Sequence, residues 1–166
     1  EDHQPPDESI QTIIDELYGE AAVIRKGADG TPIIRDPFQV DAIRAALAAP
    51  LLVVSGGPGT GKTSLLMNIL RALVRTGTDP SRIMLAAPTG RAAQRMSETL
   101  MSHLATIVEP ESGDLQLGRL RGSTLHKLLV YQSRIGGFVF GERRYLPADV
   151  IAVDEVSMVD VVMMDR

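Results

Sequence analysis

Residues 56–63 read Gly-Gly-Pro-Gly-Thr-Gly-Lys-Thr, an instance of the pattern G-x-x-x-x-G-K-[ST]. No other stretch constrains the chain as tightly, because the pattern has meaning only in one context: a strand before it and a helix after it. The apolar run Leu51–Ser55 precedes it, and the helical run Lys62–Arg75 follows. Glycines let the backbone curl so that several N–H groups point at phosphate oxygens. The start of the following helix adds a partial positive charge. In this arrangement Lys62 reaches the β- and γ-phosphates of a nucleotide, Thr63 places a hydroxyl on Mg²⁺, and Pro58 stiffens the loop. Gly57, Pro58, Gly59, Thr60, Gly61, Lys62, Thr63 and Ser64 are therefore the expected cradle for ATP. A glycine-rich turn with a chance lysine would not need strand, loop and helix in register.

A second feature supports hydrolysis. Val150–Val153 is an apolar run closed by Asp154-Glu155. In open α/β sheets ligands lie beyond the carboxyl ends of strands, where both features would fall. Asp154 would hold Mg²⁺, and Glu155 would orient and deprotonate an attacking water. A kinase must exclude water, so a carboxylate beside the metal ligand favours hydrolysis over transfer to a small molecule. Taken alone, the pair could equally be an exposed acidic turn.

The rest of the chain fits an α/β domain. Ile10, Ile13, Ile14 and Leu17 recur at helical spacing over Ser9–Glu20. Gly27–Pro32 reads as a turn, either joining short strands at Ala22–Arg25 and Ile33–Ile34 or linking into the main domain. Asp36-Pro37 starts a helix with Phe38, Ile43 and Leu47 on its apolar face. Leu51–Ser55, Arg82–Ala87 and Val150–Val153 are predicted strands buried on both faces. Arg91 to about Ala105 is predicted helical, with Ala93, Met96, Leu100 and Leu104 on one side. Residues 109–122 read as loop. Ser123 can cap a short helix over Thr124–Val130, and residues 131–146 suggest a hairpin or protruding loop. Strands alternating with helices imply a parallel, doubly wound sheet with helices on both faces.

Composition narrows the chemistry. The 166 residues suit one domain, and 44% are hydrophobic with only 4% aromatic, as expected of aliphatic strands under helices. There is no cysteine, so disulfides and thiolate metal sites are excluded, and the three histidines are dispersed. No apolar run approaches the ~20 residues that cross a bilayer. The acidic start is unlike a signal peptide, so a cytoplasmic location is expected. Charge is uneven: residues 1–20 carry seven acidic groups and no Lys or Arg, whereas 71–144 carry eleven Lys/Arg against six Asp/Glu. That basic middle is either a phosphate-facing surface or an ordinary solvated one.

Four segments together carry a resemblance. Residues 56–63, Leu85–Ala93 (LAAPTGRAA), Ser123–Leu129 (STLHKLL) and Val153–Asp160 (VDEVSMVD) are similar, in order and spacing, to successive motifs of superfamily 1 DNA helicases, and most resemble the RecD family, which includes the α subunit of exodeoxyribonuclease V. The resemblance covers about residues 36–166. It implies a RecA-like P-loop NTPase fold for that stretch, with residues 1–35 a linker, short helix and remnant of an upstream region. It implies ATP and Mg²⁺, single-stranded DNA as track and 5′-to-3′ translocation; the family includes both subunits that work with RecB and RecC and relatives that act without them, so the full protein has RecB- and RecC-like partners or works alone. By position it assigns adenine reading to Gln39, and DNA contact to Thr89, Gly90 and Arg91 and then to Thr124 and His126, with Ser123 alongside. Ser157–Asp160 would couple the ATP site to the motor. From the residues alone, Arg91 and Arg95 fit a solvated helix face equally well, and His126 beside Leu125, Leu128 and Leu129 fits a packed histidine better. Other readings are the helicase portion of a conjugative relaxase and a P-loop switch that does not act on nucleic acid. A superfamily 1 motor also needs a second RecA-like domain. A chain that opens on Glu1 and stops soon after Asp160 is therefore expected to be a fragment with weak ATPase activity at most and no unwinding.

Overall fold

The computed structural model describes residues 7–24, 36–57, 59–105, 107, 110–134, 137–141 and 143–159. They fall into two compact units, one within residues 1–78 and 102–118 and the other within 79–101 and 119–166.

The first unit is helical. Helix α1 (Asp7–Ile24) carries the expected apolar stripe but runs further, so Ala22–Ile24 continue the helix and form no strand. Once a helix is nucleated, each added residue costs little. Arg25, the Gly27–Pro32 turn and Ile33–Ile34 lie outside the described residues. Helix α2 (Pro37–Ala48) starts as anticipated, with the Asp36 carboxylate accepting from the Phe38 N–H at 3.0 Å. Helix α3 (Lys62–Arg75) leaves the phosphate loop. Ile10, Ile14 and Leu17 of α1 pack with Val40 and Ile43 of α2 and with Leu65, Ile69 and Ala72 of α3 in one core.

Two expectations fail in this unit. Leu51–Ser55 joins no strand ladder among the described residues, and Leu51 and Val53 are 77% and 79% exposed. Only Leu52 packs on the core. An apolar run signals a strand only if another edge accepts its N–H and C=O groups, and the run does not encode that edge. The stretch 109–122 is not all loop, since it contains helix α5 (Ser112–Leu117). Glu111 and Asp114 form a reciprocal capping box at its start, and Asp114 is buried against α3.

The second unit holds a parallel three-stranded sheet. Strand β1 (Ile83–Ala87) lies between β2 (Gly122–Thr124) and β5 (Val150–Val153). Leu85 is opposite Gly122 on one side, and Ile83 is opposite Val150 on the other. Helix α4 (Gly90–Leu104) packs Ala92 and Ala93 on Ala87. β5 was expected to be buried on both faces, but its residues alternate and Ile151 is 44% exposed. It sits at the end of the sheet, with one paired edge among the described residues. The short helix α6 covers only Leu125–Leu128, and its cap is Thr124 rather than Ser123, with the Thr124 hydroxyl accepting from the Lys127 N–H at 3.2 Å. The expected hairpin is present as β3 (Tyr131–Gln132) and β4 (Gly137–Phe138).

The sheet is thus parallel and flanked by helices, as the strand-helix alternation implies. No helix among the described residues is long and apolar enough to cross a membrane.

Candidate nucleotide and nucleic-acid sites

The phosphate loop owes its shape to two glycines. Gly59 and Gly61 have φ of 78° and 77°, a left-handed backbone that costs other residues about 1–2 kcal/mol. Gly61 immediately precedes α3, so the loop turns directly into a fourteen-residue helix whose first N–H groups lack helical partners. The Lys62 ammonium folds back onto the loop and donates to the carbonyls of Gly56 and Gly57 at 2.7 and 2.6 Å. The Thr60 hydroxyl also donates to the Gly57 carbonyl, at 2.9 Å. Ser64, one turn into α3, lies 3.3 Å from Nε2 of His103. Gln39 comes to the same place: a Cβ on Gly61 would lie 3.3 Å from its Nε2, while its Oε1 accepts from the Tyr18 hydroxyl at 3.4 Å. Gln39, Gly57, Gly59, Thr60, Gly61, Lys62, Thr63 and Ser64 therefore belong to one unit. Pro58 lies outside the described residues. An ammonium within the loop, a glycine-shaped backbone and a helix N-terminus suit the phosphates of a nucleotide.

Helix α3 is fastened from behind. Arg71, 5% exposed, donates from Nε and Nη2 to the two oxygens of Asp114, 3% exposed, at 2.8 and 3.1 Å. Arg75 approaches the same carboxylate at 3.7 Å. Burial pushes the Asp114 carboxyl up; hydrogen bonds and charge from Arg71, with Arg75 and the Glu111 N–H, outweigh that and hold it below the usual carboxylate value.

The acidic pair belongs to the second unit. The Asp154 N–H donates to the Ala86 carbonyl at 3.0 Å and so extends the β1–β5 ladder. The Asp154 carboxylate then accepts from the Glu155 N–H at 2.8 Å. Glu155 has φ 54° and ψ 39°, a left-handed conformation on a residue with a Cβ, and it leads into a 3₁₀ turn at Val156–Met158. Its Oε1 is 3.9 Å from Nη1 of Arg95 on α4. The β5 strand is tied at its other end, where Arg82 donates to both oxygens of Asp149 at 2.7 Å. The hydrogen bond from Arg82 holds the Asp149 carboxyl below its ordinary value. Among the described residues no group of three or more His, Cys, Asp or Glu side chains could hold a metal by itself. A hydroxyl such as that of Thr63 and a carboxylate such as that of Asp154 are each of the oxygen-donor type that Mg²⁺ prefers. Asp160 lies outside the described residues.

The residues expected to face DNA all lie in the second unit, but of Thr89, Gly90, Arg91, Thr124 and His126 only Gly90 and Thr124 line one groove. Thr89 caps α4, its hydroxyl accepting from the Ala92 N–H at 3.2 Å. Gly90 and Arg91 are exposed. Gly90, Ser97, Arg121, Ser123, Thr124 and Lys127 line an open groove of about 420 Å³ between α4 and the β2–α6 segment. His126 is exposed and turns instead to the hairpin, 6.2 Å from Tyr131 and 5.7 Å from Phe138 between ring centres.

Ser97 and Gly122 escaped the sequence reading. The buried Ser97 hydroxyl accepts from the Gly122 N–H at 2.7 Å and donates to the Ala93 carbonyl at 3.0 Å. A Cβ on Gly122 would sit 2.3 Å from that same carbonyl, so β2 approaches α4 only because residue 122 is glycine. This clamp sets the width of the groove. A lone serine in a helix carries no signal of it.

Comparison with known proteins fits this division of parts. Residues 39–166 match the family model described as AAA domain. Several curated proteins named RecBCD enzyme subunit RecD are similar to the chain. The relative from Mycolicibacterium smegmatis is 39% identical over 75% of the chain and 23% of its own length. The one from Mycobacterium tuberculosis is 37% identical over 82% and 25%. The one from Buchnera aphidicola is 33% identical over 78% and 21%. The chain thus spans about a fifth to a quarter of these relatives. With the matched segment beginning at Gln39 and taking in the phosphate loop, the groove and the acidic pair, the chain belongs to the AAA domain family and is RecD-like within it.

Proposed function

We propose that the chain is the ATP-binding motor part of a DNA helicase that acts on single-stranded DNA in recombination and repair. The observation that carries the proposal is the Lys62 ammonium, drawn into a loop shaped by left-handed Gly59 and Gly61 at the start of α3. In this reading Gln39 contacts the adenine edge. Backbone N–H groups of residues 57–63 cradle the phosphates, and Lys62 leaves the loop carbonyls for the β- and γ-phosphates. Thr63 and Asp154 are the residues that would hold Mg²⁺, which when bound would neutralise charge on those phosphates. Glu155 orients the attacking water and accepts its proton. The α4 N-terminus at Gly90 and Arg91, with Thr89 as its cap, holds a DNA phosphate, and Thr124 and His126 continue the track.

The similar proteins, of which the chain spans a fifth to a quarter, carry the name of a RecBCD subunit, and that name supports RecB- and RecC-like partners. 5′-to-3′ movement and a cytoplasmic location belong to the same proposal and rest on the motif resemblance and the sequence alone. The deciding experiment measures ATP hydrolysis by the full-length protein with and without single-stranded DNA. We expect stimulation by DNA, and loss of hydrolysis by about 100-fold or more in Lys62→Ala. Hydrolysis indifferent to DNA would instead support a P-loop switch.

A further inference from the structure

The chain is poor in aromatic residues, yet four of its three Phe and three Tyr fall within residues 131–145: Tyr131, Phe138, Phe140 and Tyr145. Tyr131 and Phe138 face each other across the β3–β4 hairpin at 5.2 Å between ring centres, inclined by 67°. His126 of α6 completes a three-ring cluster. A cluster whose purpose was burial would hide its largest ring, but Tyr131 remains 50% exposed. The hairpin is held against the end of α6, with the Val139 and Phe140 N–H groups both donating to the Leu129 carbonyl at 3.1 and 3.2 Å. Val130, the residue between helix and hairpin, has φ 55°. A β-branched residue is costly there, and such a conformation persists only where the surroundings enforce it.

The surroundings are strongly basic. Residues 118–145 contain Arg119, Arg121, Lys127, Arg134, Arg143 and Arg144 against one acidic residue, Glu142. Arg144 also lies over the Phe140 ring at 5.2 Å. Helix α6 joins the two features, since Lys127 lines the groove beside α4 while its neighbour His126 faces the rings. Exposed rings interleaved with cations are the chemistry that grips a single strand, with cations on phosphates and rings on base faces.

We propose that His126, Tyr131 and Phe138 form a platform on which a base of single-stranded DNA stacks, with the adjoining phosphates against Arg121 and Lys127. The proposal rests on the DNA-motor reading and adds a base contact to it. The test compares binding of the full-length protein to oligo-dT and to an abasic oligomer of equal length. Tyr131→Ala weakens oligo-dT binding about tenfold and leaves binding to the abasic backbone unchanged, whereas Tyr131→Phe keeps both. Tyr131→Leu preserves apolar bulk for the hairpin, so it serves where the alanine variant folds poorly, and it too loses affinity for oligo-dT alone. Unchanged oligo-dT affinity in these variants, or an equal loss on both oligomers, overturns the platform while leaving the DNA-motor reading in place. Failure of the unaltered protein to bind either oligomer removes the DNA reading and the platform with it.

Discussion

At the phosphate loop the left-handed backbone falls on Gly59 and Gly61, whereas at the acidic turn it falls on Glu155. The first arrangement costs little beyond the entropy of glycine; the second costs a residue with a Cβ about 1–2 kcal/mol. The loop needs shape and presents backbone N–H groups, so glycine serves it. In the proposed mechanism the turn carries the water-activating carboxylate, and glycine would supply the bend without that chemistry. The supports differ in the same direction. The loop's helix is fastened by a buried pair, Arg71–Asp114, and the strand leading to the turn by an exposed one, Arg82–Asp149. An exposed pair contributes little, whereas breaking a buried one is strongly destabilising.

The largest effect expected from this contrast is chemical. Glu155→Gln keeps size and turn but removes the proton acceptor, so ATP hydrolysis should fall by about 10²–10⁴-fold while nucleotide affinity is retained. Single-turnover hydrolysis alongside equilibrium nucleotide binding separates the two. A variant that hydrolyses at the normal rate would mean that the bend at residue 155 serves the fold alone.

Next in size is the buried support. Asp114→Asn leaves Arg71 without its carboxylate and should destabilise the first unit by about 3–5 kcal/mol. Hydrogen exchange at α3 and α5 amides locates the loss. The same carboxyl makes this unit acid-sensitive. Its folded pKa is below the unfolded value, so its contribution is complete above about pH 4 and is lost as pH falls through the folded pKa. Thermal midpoints measured downward from pH 7 should bend below about pH 4 in the parent protein and bend less in Asp114→Asn. Equal curves would assign the acid response to other carboxylates.

How much of this was legible in the residues follows from what each signal encodes. Glycine and lysine types at fixed spacing encode the loop, because left-handed φ and phosphate charge select for them. Asp36-Pro37 encodes a helix start through a local hydrogen bond, and the Ile83–Ala87 and Val150–Val153 strands are present where their apolar runs predict. Leu51–Ser55 misleads because apolarity says nothing about which edge will pair. Helix α5 hides in a segment with three glycines, one proline and one serine among residues 109–122, although Glu111 and Asp114 at capping-box spacing were a usable sign. Glu155 and Val130 in left-handed backbone, and Ser97 reaching Gly122 from 25 positions earlier, depend on tertiary surroundings and leave no local trace.

The smallest effect tests the comparison most directly, by exchanging the two kinds of residue. Gly61→Ala adds a Cβ at φ 77°, for about 1–2 kcal/mol of strain, partly offset by about 0.4–1 kcal/mol from the stiffer unfolded chain. The new Cβ would also meet Nε2 of Gln39 at 3.3 Å, a flexible tip that can move, so the net loss stays near 1 kcal/mol and Gln39 shifts. Glu155→Gly does the reverse: it releases about 1–2 kcal/mol of strain and loses about 0.5–1 kcal/mol to glycine's entropy, for a net gain of about 0.5–1 kcal/mol. Thermal midpoints should therefore move in opposite directions, down for Gly61→Ala and up for Glu155→Gly, with hydrolysis lost in the stabilised variant. A Glu155→Gly protein that melts below its parent would show that the carboxylate, through Arg95 at 3.9 Å, stabilises the turn by more than the left-handed backbone costs.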